Sequence, residues 1–562
     1  MSTAPEMLRA LGEAGAFEPL DLQLAATLVR RSAESGEGAS AVALAIALAS
    51  RAYREGHSGI AIAEMALQGG QLKASDVGAI LEGLSVTDEE WWVEKLAASS
   101  LANDGTRLTP LVMRNGLLQF WRYFDAERCI ATRIQELTRL PVVGGLPGFS
   151  IITGGPGTGK TTMVARKLVE LKDSEPGLRI ALAAPTGKAA ARLTESIRKE
   201  LDKLEQGEGA STSGLIEART LHRLLGYSPR SDTFRSNRAD PLDDDLVIVD
   251  EASMVDVLML DALLRALKPG ARVVLVGDHN QLASVEAGDV LGELCRAALS
   301  AAPGSPLRKS ITLLTTSWRF AEQPAIGTLA AAILAGDEAA VFRACSDGAT
   351  PQVRIMPPAE STDSLLDSIV PNLERCLSAA SPEELLDALD SFRILAPERE
   401  GRLGVQGIND AVERWLARRG HPVHEPWYHG RPVLVTANDY ATGVFNGDLG
   451  VVWRTAGTSL VHFRSGADTT RAIAPVRLPS VQTAWAMTVH KAQGSEFEDV
   501  LVVVPEHESR VMSRELLYTA VTRAQRGVTV IGSPGAIRGA IGRSAGRTSG
   551  LGARMAELFT TT

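Results

Sequence analysis

The sequence is poor in several features that would narrow its class. Its four cysteines, Cys129, Cys295, Cys345 and Cys376, lie far apart and form no CxxC pair, so neither a zinc ribbon nor an iron–sulfur cluster is expected. Four unpaired thiols fit a reducing compartment. The longest purely apolar run, Ala41 to Ala49, is too short to span a bilayer and follows Ser, Gly and Glu residues instead of a basic leader. It reads as a buried helix. No signal peptide or lipidation motif is visible, which predicts a cytoplasmic protein with no membrane partner. Positive charge is also scarce: 58 Lys and Arg against 67 Asp and Glu leave a formal charge of −9. General coating of a polyanion is therefore excluded, and any nucleic-acid site has to be a local basic groove. No internal repeat of solenoid period appears.

What is present is an ordinary globular composition, 45% hydrophobic and 22% charged, over 562 residues. That length suggests about three or four domains. Residues 1–125 are rich in Ala, Leu and Glu at helical spacing and then break into shorter aromatic pieces around Trp91, Trp92, Phe120, Trp121 and Tyr123. They carry no catalytic motif and are expected to form a mainly helical, partner-docking domain. Residues 126–310 alternate strands (149–153, 180–184, 246–249, 273–276) with amphipathic helices such as 163–171, the pattern of a parallel sheet covered on both faces. A second α/β set, residues 311–562, has strands at 392–395, 500–504 and 528–531. Within it, about 430–478, short runs joined by Asn446-Gly447-Asp448 predict a small β-rich insertion. The fold class expected is α/β, two nucleotide-fold lobes with parallel sheets that resemble RecA-like P-loop lobes.

Gly154-Gly155-Pro156-Gly157-Thr158-Gly159-Lys160-Thr161, followed by Thr162, matches GxxxxGK[ST] between a strand and a helix. Glycines at these positions let backbone N–H groups wrap phosphate oxygens, and the helix start adds partial positive charge. Lys160 is expected to reach the β and γ phosphates of ATP and Thr161 to ligate Mg²⁺. Leu246-Val247-Ile248-Val249-Asp250-Glu251 is an apolar strand ending in two carboxylates: Asp250 is expected to hold the metal and Glu251 to polarise the attacking water. Arg319, in Ser317-Trp318-Arg319-Phe320, and Arg523, in Thr522-Arg523-Ala524, are candidates for countering charge on the γ phosphate, both from the second lobe.

These segments sit in an order that resembles the motifs of superfamily-one helicases. Ala184-Pro185-Thr186-Gly187-Lys188 looks like motif Ia, and Thr220-Leu221-His222-Arg223 like motif Ib. Gly277-Asp278-His279-Asn280-Gln281 looks like motif III, and Thr488-Val489-His490-Lys491-Ala492-Gln493-Gly494-Ser495-Glu496 like motif V, with Arg523 in motif VI. Pro426 to Pro432 and Phe445-Asn446-Gly447-Asp448-Leu449-Gly450 are similar to the RecD family in particular. That resemblance implies an ATP-dependent 5′–3′ DNA helicase, the α subunit of exodeoxyribonuclease V, joined to RecB and RecC and acting on single- and double-stranded DNA. It further implies that Gln281 links nucleotide to strand, and that Pro185, Thr186, Lys188, Thr220, His222, Thr488 and His490 touch DNA. The nuclease is implied to reside in RecB. Gln135 is the nearest candidate for reading adenine, and Ser228 to Asn237 for a strand-splitting hairpin. The alternative is a stand-alone RecD-like helicase.

Overall fold

The computed structural model describes residues 3–560 except 33, 206–216, 323, 347–351, 359–361, 440, 456, 466–468, 479, 508 and 510. The run Ala41 to Ala49 lies in the helix Gly36–Arg54, and none of these nine side chains is more than 3% exposed. A helix that is apolar all round has to be wrapped. Ala4–Glu13, Pro19–Arg30 and Glu89–Ala98 do so. The strands Ile60–Ala61, Leu117–Phe120, Leu111–Arg114 and Ala102–Asn103 add a four-stranded sheet to this mainly helical domain. Its hairpin turns at Asn115 and Gly116, both at positive φ, as a two-residue turn of the primed type requires. Trp91 and Trp92 are buried edge to face, 4.9 Å between centroids, so they are core. The expected boundary at 125/126 falls inside the helix Trp121–Thr138, whose Ala126, Ile130 and Ile134 enter the next core. The front domain is therefore joined to the first lobe by a helix instead of a linker.

The first lobe is a six-stranded parallel sheet in the order Ile311–Leu314, Phe149–Gly154, Arg272–Gly277, Leu246–Val249, Ile180–Ala184, Arg219–Thr220. Helices cover both faces, giving two apolar layers, one around Ile130, Leu260 and Leu294, the other around Val164, Leu193 and Ile197. Two expectations about where this lobe ends need correction. The strand Ile311–Leu314 is its edge strand, pairing Ile311 with Ile151. The terminal helix Leu551–Thr560 also returns to it, sinking Leu551 and Met555 fully into its core. An edge strand half open to solvent offers no continuous apolar run, and no local signal says on which lobe a distant helix docks.

The second lobe is also parallel, in the order Val353–Met356, Ala524–Ile531, Phe497–Val503, Phe392–Ala396, Ala486–Thr488. Its insertion is a five-stranded antiparallel sheet, in the order Thr470–Ile473, Thr458–Arg464, Leu449–Thr455, Pro432–Val435, Val481–Thr483. It closes on its own core of Val433, Val435, Val452, Val461 and Phe463.

A buried polar junction joins the front domain, the first lobe and the C-terminal segment. Glu127, fully buried, accepts from Ser58 Oγ (2.5 Å), Gln119 Nε2 (3.0 Å), Ser549 Oγ (2.9 Å) and Gly550 N (3.2 Å). Arg554 Nη2 lies 3.4 Å from it. Glu293 accepts from Gly552 N at 2.9 Å and lies equally close to the same Ser549 hydroxyl.

Candidate nucleotide site and strand-binding surface

The P-loop leaves the carboxyl end of Phe149–Gly154 and feeds directly into the helix Lys160–Ser174. Gly157 and Gly159 adopt φ of 70° and 83°, which L side chains rarely take. A Cβ at Gly157 would stand 2.4 Å from that of Arg319, so glycine there serves packing as well as conformation. Lys160 Nζ sits at the mouth of the loop, donating to the carbonyls of Gly154 (2.8 Å) and Gly155 (2.9 Å). Around these residues lies a cavity of about 1450 Å³. Thr161, Thr162, Asp250, Glu251 and Gln281 line it with Arg319 and Arg523. A hydroxyl and a carboxylate beside an anion-binding loop form an oxygen donor set suited to Mg²⁺. Surrounding protein and then Glu251 push the Asp250 carboxyl above its usual range. Glu251 holds a left-handed φ of 51°, with its N–H on Asp250 Oδ1 at 2.9 Å.

The two arginines arrive by different routes. Arg319 stands at the entrance to the second lobe, whose core its neighbour Phe320 packs against. It lies in the crossover just after the first sheet's edge strand, where Trp318 N donates to Gly157 O at 3.0 Å. Its guanidinium pairs with Glu496 of the second lobe at 2.6 Å. Burial opposes ionisation of Glu496, but Arg319 outweighs it and holds the carboxyl below its ordinary value. Arg523 is buried, fixed by its donations to Thr519 O (3.1 Å) and Ser495 O (3.3 Å).

Further residues complete the site without a sequence signal of their own. Trp318 is 71% exposed and lines the cavity beside the P-loop, an unusual position for so large an apolar surface. The motif III loop is tied across the cleft: Tyr518 Oη donates to Asp278 (2.9 Å), Leu282 N to Thr519 Oγ1 (2.8 Å) and Gln493 Nε2 to Leu282 O (3.0 Å). Gln281 donates to the same Asp278 at 3.1 Å. These partners are more than 200 residues apart in sequence, except the last. Gln135, expected near adenine, donates instead to Leu558 O at 2.8 Å on the terminal helix. The cavity wall on that side is Val142, Gly145, Leu146 and Pro147.

The expected DNA contacts fall at the carboxyl ends of strands in both lobes. Thr186, Thr220 and Thr488 each accept a backbone N–H, from Ala189, Arg223 and Lys491, all at 3.2 Å. A hydroxyl that accepts keeps its own hydrogen to donate to a phosphate oxygen. Pro185, half-buried, opens the turn before Thr186. Lys188 reaches across the cleft to Ser495 Oγ at 2.6 Å, and neighbouring Arg192 donates to Gly494 O. His222 is exposed and packs on Tyr227 (5.2 Å) and Phe234 (6.0 Å) of a small hairpin, Tyr227–Ser228 with Thr233–Phe234. His490, two residues beyond Thr488, faces a second cavity beside the front domain.

Comparison with known proteins agrees with this layout. The family model for the N-terminal domain of RecBCD enzyme subunit RecD matches residues 13–118, an AAA domain model 146–287, and a UvrD-like helicase C-terminal domain model 483–531. RecBCD enzyme subunit RecD of Mycobacterium tuberculosis (strain H37Rv) is 40% identical, over 98% of this chain and 97% of that protein. Its counterpart in Mycolicibacterium smegmatis is 39% identical over 96% and 97%. The ATP-dependent RecD2 DNA helicase of Deinococcus radiodurans is 37% identical over 67% of this chain but 46% of its own length.

Proposed function

The chain belongs to the RecD family of RecBCD subunits, and from that premise we propose that it moves 5′ to 3′ along single-stranded DNA within a cytoplasmic complex with RecB and RecC. It is an ATP-dependent DNA helicase. The observation that carries the coupling is the convergence of two lobes on one cavity: Lys160, Asp250 and Gln281 from the first, Glu496 and Arg523 from the second, with Arg319 at the crossover. Thr161 and Asp250 would hold Mg²⁺, whose charge would offset that of the phosphates. Trp318 offers its face to the base, and Glu251 orients water. Arg319 exchanges Glu496 for the γ phosphate, which frees the second lobe's carboxylate and alters the cleft. The bonds from Asp278 and Leu282 to Tyr518, Thr519 and Gln493 carry that change towards the strand.

Thr186, Thr220 and His222 on one lobe and Thr488 on the other hold phosphates in turn, and the His222, Tyr227, Phe234 group is suited to stacking a base without sequence preference. The stand-alone reading is disfavoured because the match to the RecBCD subunit runs over 98% of this chain and that to the RecD2 helicase over 67%. Duplexes with a 5′ or a 3′ single-stranded tail, offered with ATP, test the polarity: unwinding is expected from the 5′ tail, and preference for the 3′ tail contradicts it. Co-purification of RecB and RecC with the tagged chain from native cells tests the complex.

A further inference from the structure

A second cavity, of about 1070 Å³, lies where the front domain, both lobes and the C-terminal segment meet. Six arginines line it: Arg51 and Arg54 from the front domain, Arg296 from the first lobe, Arg514 from the second, and Arg543 and Arg547 from the returning segment. Three carboxylates, Glu55, Asp289 and Glu515, share the wall. Arg54 is balanced by Asp21 at 2.6 Å and Arg296 by Asp289 at 2.9 Å. Arg514 and Arg547 are held otherwise. Arg514 Nε donates to Ile541 O at 2.8 Å, and Arg547 donates to the carbonyls of Glu286 and Gly288. A carbonyl orients a guanidinium without cancelling its charge. Glu515 is turned to the Ser544 hydroxyl (2.8 Å) and the Ala545 N–H (2.6 Å).

On a chain of formal charge −9, this is the local concentration of positive charge that a nucleic-acid contact demands. Its floor is the motif III loop with His490, and Gln281 borders both this cavity and the nucleotide cavity. Anchoring the returning segment engages Arg543 and Arg547, whereas Arg296, paired with Asp289, keeps 60% of its side chain exposed. We propose that this cavity binds phosphodiester groups of the single strand, so that the front domain holds DNA against the motif III loop as well as docking a partner. The proposal rests on the reading of the chain as a DNA motor.

The double substitution Arg296→Gln with Gln71→Glu tests it, since both side chains are exposed on the cavity wall and the pair removes one positive and adds one negative charge. Binding of the full chain to oligothymidylates of about 8 and about 20 nucleotides is measured by fluorescence anisotropy across salt concentrations. The variant is expected to bind the longer strand about tenfold more weakly and the shorter nearly as wild type. Its salt slope on the longer strand should be shallower by about 0.7 for each phosphate no longer neutralised, and turnover of ATP without DNA should be unchanged. Equal affinity of variant and wild type for the longer strand overturns the proposal. So does loss of pyrophosphate binding, read by thermal shift, with oligonucleotide binding intact, which assigns the cavity to a free anion. Failure of the wild-type chain to bind either oligonucleotide counts against the motor reading itself, a separate outcome.

Discussion

Replacing Glu293 by Gln should make the protein more stable at alkaline pH. Burial first, and the neighbouring Glu127 second, push the Glu293 carboxyl up to about 7. The local geometry agrees, because the single hydroxyl hydrogen of Ser549 faces Glu127 and Glu293, each at 2.9 Å, and can serve only one. A protonated Glu293 resolves the conflict by donating to Ser549. The ordinary glutamate value is about 4.3, so a carboxyl that holds its proton up to about pH 7 corresponds to about 3–4 kcal/mol. The folded chain keeps a proton that the unfolded chain releases. The contribution of Glu293 is therefore full below about pH 4.3 and is lost as pH rises through about 7. Glutamine keeps an oxygen for the Gly552 N–H and an N–H for Ser549, with no proton to lose. Thermal unfolding followed at pH 4 to 8 should show the variant level with wild type at the acid end. At pH 8 it should melt about 5–10 °C higher in the transition that reports the first lobe. A variant no more stable than wild type at pH 8, with the same dependence on pH, refutes the reasoning.

Lys160→Gln should abolish DNA-stimulated ATP hydrolysis while leaving the melting temperature unchanged, and near-normal turnover would remove the P-loop from the chemistry. Arg523→Lys should lower kcat by about 10³ with KM for ATP little altered, because a point charge does not reproduce a guanidinium fixed by two carbonyls. Steady-state kinetics at saturating DNA decide between that and a purely structural role. Trp318→Ala should raise KM for ATP about tenfold, the loss of one stacked base, with kcat within a few-fold; an unchanged KM would show that the base lies elsewhere.

Where chemistry forces a spacing, the sequence alone revealed it. The strands Ile180–Ala184 and Leu246–Val249 have the expected bounds, because four or five buried apolar residues in a row suit a strand covered on both faces. The P-loop and the Asp250, Glu251 pair were legible for the same reason, since phosphate and metal each dictate a local pattern. What stayed hidden depends on contacts between distant segments. Glu496 acquires its meaning from Arg319, 177 residues away, and Gln135 loses its expected place to Leu558, 423 residues away. Trp318 looked like any aromatic until its exposure was known. The arginines of the second cavity come from four stretches of chain, none of which is basic enough to stand out.

The return of the terminal helix to the first lobe has a mechanical consequence. The second lobe is a guest within the first: the chain enters it after Leu314 and leaves it before Leu551, and both ends are rooted in the same core. A body hung on two separated tethers behaves like a door on a pair of pins. It can swing about the line joining them, opening and shutting one edge, but twisting about any other axis strains one tether or the other. Each turnover is thereby confined to opening and closing about a single axis before the strand contributes anything. Cutting the chain between residues 543 and 550 leaves every catalytic group in place while removing one pin, so hydrolysis should outlast coupled movement in the nicked protein.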